Sequence, residues 1–275
     1  AVYLSRLSGP GRVGYLSRLG DDTMSGFLRG VLADEAVTDL CAIQPGGRPG
    51  LSIITTDADG ERSFTYWRDQ SPARQLFSDA DDLHPLDRAD TLILSGVTLA
   101  MLLPAGRETL LQALERRRAE GARIVLDTNY RPALWSDVAT ARAVIGRAAG
   151  LATLILPSLD DMSGCFDAPD PGQAMDLLTR LTGAEIVLTT GGDAVLHRAA
   201  GAPGFQTFAL PPKRPARDTT GAGDSFNAGW LAARKAGCGP AAAITRAARL
   251  AAEVVLHPGA ILPRHAMPAH DHVPT

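Results

Sequence analysis

Residues 217–229 of the chain read RDTTGAGDSFNAG, a glycine-rich turn followed by a helix-forming segment. Small residues at 221–223 let the backbone turn closely before the helix begins. The start of a helix offers unpaired backbone N–H groups and the positive end of the helix dipole, which suit a phosphate or a developing oxyanion. We therefore predict an anion-binding turn at this position.

Asp224 stands out beside such a turn. A carboxylate next to a bound phosphate is electrostatically unfavourable unless it takes part in the chemistry. In phosphoryl transfer, an aspartate in this situation takes the proton of a substrate hydroxyl. The alternative is that Asp218, Thr219 and Thr220 only cap a helix and that the glycines only form a tight turn.

Composition narrows the classes of function. The chain has 275 residues, of which 45% are hydrophobic, enough to bury the core of one large α/β domain or two small ones. Its net charge of −3 argues against a nucleic-acid or membrane-surface partner. Lysine occurs only at Lys213 and Lys235, and neither follows a glycine loop, which excludes a P-loop of the GxxxxGKS or GxxxxGKT type.

The cysteines and the hydrophobic pattern indicate the compartment. Cys41, Cys165 and Cys238 are far apart and lack CxxC spacing, which suggests neither a disulfide framework nor a zinc site. The sequence has no run of about 18 apolar residues and no charged-then-apolar leader. We therefore expect a reducing, cytoplasmic location.

Residues 41–70 differ in texture from the rest of the chain. Two runs rich in β-branched and aromatic residues, 51–56 and 62–68, flank an Asp/Gly turn at 57–60. This arrangement predicts a β-hairpin, and a hairpin within an α/β chain is a candidate lid over an active site. Its exposed edge also favours pairing with a second copy of the chain.

After Pro72, apolar strands alternate with helices. The predicted strands are 91–96, 122–127, 151–156 and 185–189, and the predicted helices are 108–120, 139–149, 173–182 and 247–256. This alternation indicates a mostly parallel sheet covered on both faces. Ligands bind such sheets beyond the carboxyl ends of the strands, where we find 95–96, 127–129, 158–161 and 190–192.

Two further patterns have simpler explanations. The GxGxxG match at 9–14 follows a helix-like segment, 1–7, rather than a strand, so it does not fit a dinucleotide-binding loop. His265, His270 and His272 lie in a tail, 263–275, that is rich in proline and histidine. They lack acidic or cysteine partners, which favours a solvated, loose tail over a metal site.

The longer string DTTGAGDSFNAG, at 218–229, is similar to the C-terminal signature of the ribokinase-like (PfkB-type) sugar kinases, and 13–260 as a whole resemble that family. Three stretches resemble its 2-keto-3-deoxygluconate kinase branch: YWRDQSPA at 66–73, SGVTLA at 95–100 and DTNYRPALW at 127–135. The resemblance implies a ribokinase-like three-layer α/β/α sandwich with a mostly parallel central sheet and a small β lid. It also implies a single domain over 1–275, with the lid portion at 41–70.

The resemblance assigns roles to the turn before the helix. Asp224 would contact the substrate and act as the base that activates its hydroxyl group. Gly221, Ala222 and Gly223 would complete an anion hole, in which the N–H groups of Ala222, Gly223 and Asp224 hold the charge of the transferring phosphoryl group. The implied reaction is the ATP- and Mg²⁺-dependent phosphorylation of the terminal hydroxyl of 2-keto-3-deoxygluconate to the 6-phosphate.

The sugar-acid contacts implied by the resemblance are Tyr66, Arg68 and Arg131. The two arginines can make charge-assisted, bidentate hydrogen bonds to a carboxylate, which a neutral pentose or nucleoside would not need. Structural alternatives remain open. Arg131 can form an ordinary salt bridge to Asp127 or Asp137, and Tyr66 can pack across the hairpin.

The nucleotide contacts implied by the resemblance are Ser158, Thr189, Gly191, Gly192, Thr220, Gly221, Gly223, Gly259 and Ala260. An NxxE motif orders the Mg²⁺ ion and the phosphates in this family. The sequence SLDD at 158–161 matches it only loosely, with Ser158 in place of the asparagine and Asp161 in place of the glutamate. A monovalent cation is a further implied cofactor, and any tight turn would also use glycines at 191–192.

The front of the chain departs from the family. These kinases open with a strand and a Gly-Gly-Asp…Asn loop that the sequence as given does not contain.

The function has two rival interpretations. One is another ribokinase-like sugar kinase, acting on fructose, ribose or a related keto-sugar acid; the other is a non-catalytic sugar-acid or nucleotide sensor of the same fold. The complete string around Asp224 favours an enzyme, and we expect a homodimer or higher homo-oligomer formed through the lid.

Overall fold

The structure, a computed structural model, describes residues 1–56 and 62–268. The helices are α1 (Val2–Ser8), α2 (Thr23–Asp34), α3 (His84–Asp87), α4 (Gly96–Met101), α5 (Pro104–Ala119), α6 (Val138–Leu151), α7 (Leu159–Phe166), α8 (Pro171–Leu181), α9 (Ala222–Lys235) and α10 (Pro240–Val254). The strands are β1 (Gly14–Tyr15), β2 (Arg18–Leu19), β3 (Thr38–Asp39), β4 (Ala42–Ile43), β5 (Leu51–Thr56), β6 (Arg62–Trp67), β7 (Thr91–Ser95), β8 (Arg123–Asp127), β9 (Leu154–Leu156), β10 (Glu185–Thr189), β11 (Ala194–Arg198) and β12 (Gln206–Ala209).

The central sheet has six strands in the order β12-β11-β10-β9-β8-β7. Strands β7 to β10 run parallel, as their alternation with helices predicts. Strands β11 and β12 add two antiparallel ladders that the sequence analysis did not predict. The carboxyl ends of the parallel strands therefore lie at one edge of the sheet.

Side chains of the central strands alternate between the two faces of the sheet. Ile124 and Leu126 belong to a core shared with α5 and α6, whereas Val125, between them, belongs to a core shared with α9 and α10. All three side chains are fully buried. Helices thus cover both faces, which confirms the predicted three-layer α/β/α architecture.

Three smaller sheets accompany the central one. Strands β1 and β3 pair in parallel, as do β2 and β4. Strands β5 and β6 form an antiparallel hairpin in which Leu51 lies opposite Trp67. This confirms the predicted hairpin, whose Asp/Gly turn at 57–60 lies outside the described residues.

Two predicted boundaries and the prediction of a loose tail need correction. The last helix begins at Pro240 rather than at 247, because a proline is favourable in the first turn of a helix. Leu151 ends α6 instead of starting the next strand. The start of the tail is also held in place, because the guanidinium group of Arg264 donates a 2.5 Å hydrogen bond to the Asp34 carbonyl oxygen; 269–275 lie outside the described residues.

The described part of the chain lacks two kinds of feature. No helix there is long and apolar enough to cross a lipid bilayer. Likewise, no group of three or more His, Cys, Asp or Glu side chains in 1–56 and 62–268 could hold a metal ion.

Candidate active site

The glycine-rich turn begins α9 and packs against the loop that follows α10. Gly221 is the N-cap residue of α9 and has a left-handed φ of 80°. A Cβ atom at this position would lie 2.8 Å from the Ala260 carbonyl oxygen. Both the backbone conformation and the close approach therefore require glycine.

Asp218 fixes the turn to the same loop. Its Oδ1 atom accepts a hydrogen bond from the Thr220 amide at 2.9 Å, and its Oδ2 atom accepts one from the Gly259 amide at 2.8 Å. Its own amide donates to the Val255 carbonyl oxygen at 3.1 Å. Asp218 therefore joins two turns rather than capping α9, which corrects the structural alternative for this residue.

The first amides of α9 are available to an anion. The Ala222 amide already donates a long hydrogen bond, 3.3 Å, to the Thr219 carbonyl oxygen. Within 1–56 and 62–268, by contrast, the amides of Gly223 and Asp224 have no acceptor. Both residues are exposed at the start of a 14-residue helix. An anion at this helix start would meet two unpaired donors and the positive end of the helix dipole.

Asp127, the last residue of β8, belongs to the same site as Asp224. Burial, together with the negative charges of Asp224 and Asp161, raises the pKa of Asp127 to about 7. A hydrogen bond from the Asn129 side chain and the charge of Arg131 oppose this increase. The sequence places Asp127 at the ligand-binding edge of the sheet, at 127–129, but gives no sign of this raised pKa.

Asp161 organises the segment that follows β8. Its Oδ2 atom accepts a 2.7 Å hydrogen bond from the Thr128 hydroxyl, and its Oδ1 atom accepts a 2.9 Å bond from the Tyr130 amide. Ser158 caps α7 through a 3.1 Å bond from the Asp161 amide to its Oγ atom. The buried Asp161 carboxylate thus positions the turn beyond β8, and its contact with Mg²⁺ stays a prediction.

Arg131 projects from this turn with its side chain 59% exposed. Its Nη1 atom donates to the Tyr130 carbonyl oxygen at 2.8 Å and lies 3.7 Å from Oδ1 of Asp161. The suggested salt bridge to Asp137 is wrong, because Asp137 caps α6 by accepting a 2.7 Å hydrogen bond from the Thr140 amide. The exposed guanidinium group still has donors to offer a ligand.

Asn129 is a site residue that the sequence analysis did not single out. Its φ of 29° is positive, which is uncommon for a residue other than glycine. Its Oδ1 atom is buried and has no hydrogen-bond partner in the described part of the chain. Such strain and an unmet acceptor are typical of functional positions. The signal in the sequence is its place two residues after the end of β8.

Gly96 sets the spacing between the ends of β7 and β8. A Cβ atom on Gly96 would lie 2.0 Å from the Thr128 carbonyl oxygen. The preceding residue, Ser95, caps α4 by accepting a hydrogen bond from the Thr98 amide. The SGVTLA stretch therefore supports the turn that carries Asn129 and Arg131.

The predicted nucleotide contacts fall into two groups, one at the turn before α9 and the loop after α10, and one beyond β9 and β10. Ser158 and Thr189 lie side by side in a parallel bridge at the carboxyl ends of β9 and β10. Gly191 and Gly192 follow with φ values of 68° and 95°, which only glycine adopts readily. The Lys213 side chain passes over this turn, with its Cε atom 3.3 Å from where a Cβ atom of Gly192 would lie. The sequence alone indicated no function for Lys213.

The lid brings Tyr66 and Arg68 together. The guanidinium carbon of Arg68 lies 4.1 Å from the centroid of the Tyr66 ring, a cation–π contact. The Tyr66 side chain is 43% exposed. These residues lie on or beside the separate β5–β6 sheet, whereas Arg131 follows a strand of the central sheet.

Comparisons with known proteins agree with this fold. The family model for pfkB family carbohydrate kinases matches residues 1–267. A 2-dehydro-3-deoxygluconokinase from Dickeya dadantii is 37% identical over 280 residues, which cover 98% of this chain and 89% of the relative.

Two solved structures resemble the protein over most of its length. A PfkB protein from Polaromonas sp. JS666 has a TM-score of 0.80 and 26% identity, covering 93% of this chain and 83% of its own. An aminoimidazole riboside kinase from Salmonella enterica, complexed with aminoimidazole riboside and an ATP analog, has a TM-score of 0.78 and 28% identity, with coverage of 94% and 84%. The chain belongs to the pfkB family of carbohydrate kinases.

Proposed function

We propose that this kinase transfers the γ-phosphoryl group of ATP to the terminal primary hydroxyl of 2-keto-3-deoxygluconate, giving the 6-phosphate. The observation that carries the proposal is the exposed guanidinium group of Arg131. Its positive charge lowers the pKa of Asp127, whereas the negative charge of Asp224 raises it, so the three groups belong to one site. A positive group at this position suits the carboxylate of a sugar acid. The relative from Dickeya dadantii bears the name of this activity, in which 2-dehydro is the equivalent of 2-keto.

In the proposed reaction, Asp224 acts as the general base. Its carboxylate takes the proton of the terminal hydroxyl, and the hydroxyl oxygen forms a bond to the γ-phosphorus atom. The bond from phosphorus to the bridging oxygen breaks, and its electron pair leaves with ADP. The amides of Gly223 and Asp224, supported by the turn at Gly221 and Ala222, stabilise the charge of the transferring group.

The sugar acid would be held from two sides. Arg131 would bind its carboxylate from the central sheet, and Arg68 would do so from the lid, where the Tyr66 ring orients the guanidinium group. The unpartnered Oδ1 atom of Asn129 would accept a hydrogen bond from a sugar hydroxyl.

ATP would lie along the carboxyl edge of β9 and β10. The residues proposed to contact it are Ser158, Thr189, Gly191, Gly192, Thr220, Gly221, Gly223, Gly259 and Ala260. The Salmonella enterica relative was solved with an ATP analog. Mg²⁺ would take most of its ligands from phosphate oxygens and water, since the described residues contain no carboxylate cage, and Asp161 would act on it through water.

We also propose that two copies of the chain associate through their lids, in the cytoplasm. The β5–β6 hairpin exposes Leu51 and Trp67, which are 49% and 56% accessible and lie opposite one another. A paired apolar surface on a sheet favours cover by a second copy. The thiols of Cys41, Cys165 and Cys238 are unpaired, consistent with a reducing compartment.

The test is ATP consumption by the chain with Mg²⁺ and, in turn, 2-keto-3-deoxygluconate, 2-ketogluconate, fructose, ribose and adenosine. Selective turnover of the first compound is expected. Preferential turnover of another sugar would establish a different specificity within the family. If none is turned over while ATP still binds, the proposal is wrong for the chain as given.

A further inference from the structure

A cleft of about 550 Å³ lies at the opposite edge of the central sheet from the candidate active site. Arg123, the first residue of β8, and Glu185, the first residue of β10, line it, as does Thr153 just before β9. Parallel strands place their amino ends at one edge and their carboxyl ends at the other. The cleft is therefore separate from the anion-binding turn, and its volume falls in the range of small-molecule sites.

The charged side chains of the cleft leave positive charge in excess. The lining contains two arginines, Arg123 and Arg234, and a single carboxylate, Glu185. Both arginines contact this carboxylate at long distances. Nη2 of Arg123 lies 3.4 Å from Oε2 of Glu185, and Nη2 of Arg234 lies 3.7 Å from Oε1. Neither guanidinium group makes a tight, bidentate pair, so both retain donors for a further anion.

Glu185 is held ionised and in place between these cations. Its Oε1 atom lies 3.0 Å from Nε2 of His197, whose side chain is 6% exposed. Burial alone would raise the pKa of Glu185, but the hydrogen bond with His197 and the charges of Arg234 and Arg123 lower it overall. Glu185 therefore keeps its negative charge and a defined position beside both arginines.

Of the two arginines, Arg234 has the side chain that is held by more contacts. Its Nη1 atom donates a 2.7 Å hydrogen bond to the Cys238 carbonyl oxygen, and its guanidinium carbon lies 5.6 Å from the centroid of the buried Trp230 ring. Its Nε atom is buried and has no hydrogen-bond partner among the residues that the structure describes. A buried charged donor without an acceptor is costly unless a ligand or water completes it.

The amino end of α10 adds a second source of positive potential. Pro240, the first residue of this 15-residue helix, lines the cleft. The N-cap residue is Gly239, which has no side chain to accept a hydrogen bond from the first amides. The positive end of the helix dipole therefore borders the same space as the two arginines.

We propose that this cleft binds a small organic anion, a phosphate or carboxylate of sugar size, at a site distinct from the active site. Excess guanidinium charge and an uncapped helix start converge on one space large enough for such a molecule.

The test is binding measured by titration calorimetry, with ADP and 2-keto-3-deoxygluconate present to occupy the two halves of the active site. The probes are inorganic phosphate, 3-phosphoglycerate, glucose 6-phosphate and gluconate, with uncharged glucose as the negative probe. Arg123→Gln is the main variant, because Arg123 contacts the network only at 3.4 Å and its loss should leave the fold intact. Arg147→Gln removes one charge from an exposed pair with Glu108 and is the matched control.

At least one charged probe should bind the wild type and the Arg147→Gln variant equally, and bind Arg123→Gln at least about tenfold more weakly, the effect of one lost charged hydrogen bond. The charged probe that binds best distinguishes a phosphate ligand from a carboxylate ligand. The proposal is overturned if no charged probe binds, or if Arg123→Gln and Arg234→Gln bind as the wild type does. In that case the network is only an internal ion cluster.

Discussion

Asp224 and Asp127, from different layers of the protein, act on each other as like charges in one site. Asp127 ends β8 of the sheet, whereas Asp224 lies in the first turn of α9. Burial and the Asp224 charge together raise the pKa of Asp127 from an ordinary value of 3.8 to about 7. Near neutral pH, Asp127 therefore exchanges a proton, and protonation lowers the negative charge of the site.

The first prediction concerns stability and pH. Because the pKa of Asp127 is higher in the folded state than in the unfolded chain, its contribution to stability is fully present below about pH 4. This contribution is lost as the pH rises through about 7, and a shift of this size corresponds to at most about 4 kcal/mol. In Asp127→Asn, this loss should disappear.

Denaturant unfolding of the ligand-free protein at pH 5 and pH 8 measures this effect. The wild type should lose more free energy of unfolding between the two pH values than Asp127→Asn does. Asp176→Asn, an exposed change on α8, serves as the control and should follow the wild type. An equal loss in wild type and Asp127→Asn would contradict the assignment of the raised pKa.

The second prediction is that Asp224→Asn abolishes most turnover. The substitution removes the carboxylate proposed to take the proton of the substrate hydroxyl, so kcat should fall by about 10² to 10⁴-fold. ATP binding should stay largely intact, because the backbone amides of α9 do not depend on this side chain. Initial rates and ATP titrations separate the two effects; turnover near the wild-type rate would refute Asp224 as the base.

The sequence predicted those features that depend on local periodicity. Continuous apolar runs such as 123–127 predicted the parallel strands, and the Asp/Gly turn between two β-rich runs predicted the hairpin. Strands β11 and β12 were missed because β11 ends in His197 and Arg198 and β12 has only four residues. Their burial depends on pairing with β10, which a single sequence does not show.

The candidate site was predicted only in part for a similar reason. The turn at Gly221 and Asp224, the proposed base, stand together in the sequence, so a short string reveals them. Asp127 acquires its raised pKa from charges on distant segments, and Asn129 is distinguished by its backbone angle and an unmet acceptor. Such properties exist only once the chain has folded.

The third prediction tests the spacing between β7 and β8. Gly96→Ala would place a Cβ atom 2.0 Å from the Thr128 carbonyl oxygen, so the backbone beyond β8 must move. We expect a loss of about 1–3 kcal/mol in the free energy of unfolding, the usual cost of overpacking, and a lower kcat because Asn129 and Arg131 move with it.

Gly146→Ala is the matched control for this change. Nothing lies within 4 Å of a Cβ atom at Gly146, which is in the interior of α6. Alanine there should increase the free energy of unfolding by up to about 1 kcal/mol, since glycine is a poor helix former. Equal stability of the two variants would show that the contact between Gly96 and Thr128 does not constrain the turn.

The fourth prediction is that Arg131→Ala mainly weakens binding of the sugar acid. The exposed guanidinium group is proposed to bind the substrate carboxylate, and hydrogen bonds to charged groups contribute about 1.5–3 kcal/mol, so KM should rise roughly 10- to 100-fold. The Asp161 carboxylate keeps its bonds from Thr128 and Tyr130, so the turn should persist and kcat should change less than KM. Steady-state kinetics with varied sugar acid, beside Arg147→Ala as the control, gives the comparison. An unchanged KM would remove Arg131 from the substrate site and, with it, the main structural argument for a sugar acid over a neutral sugar.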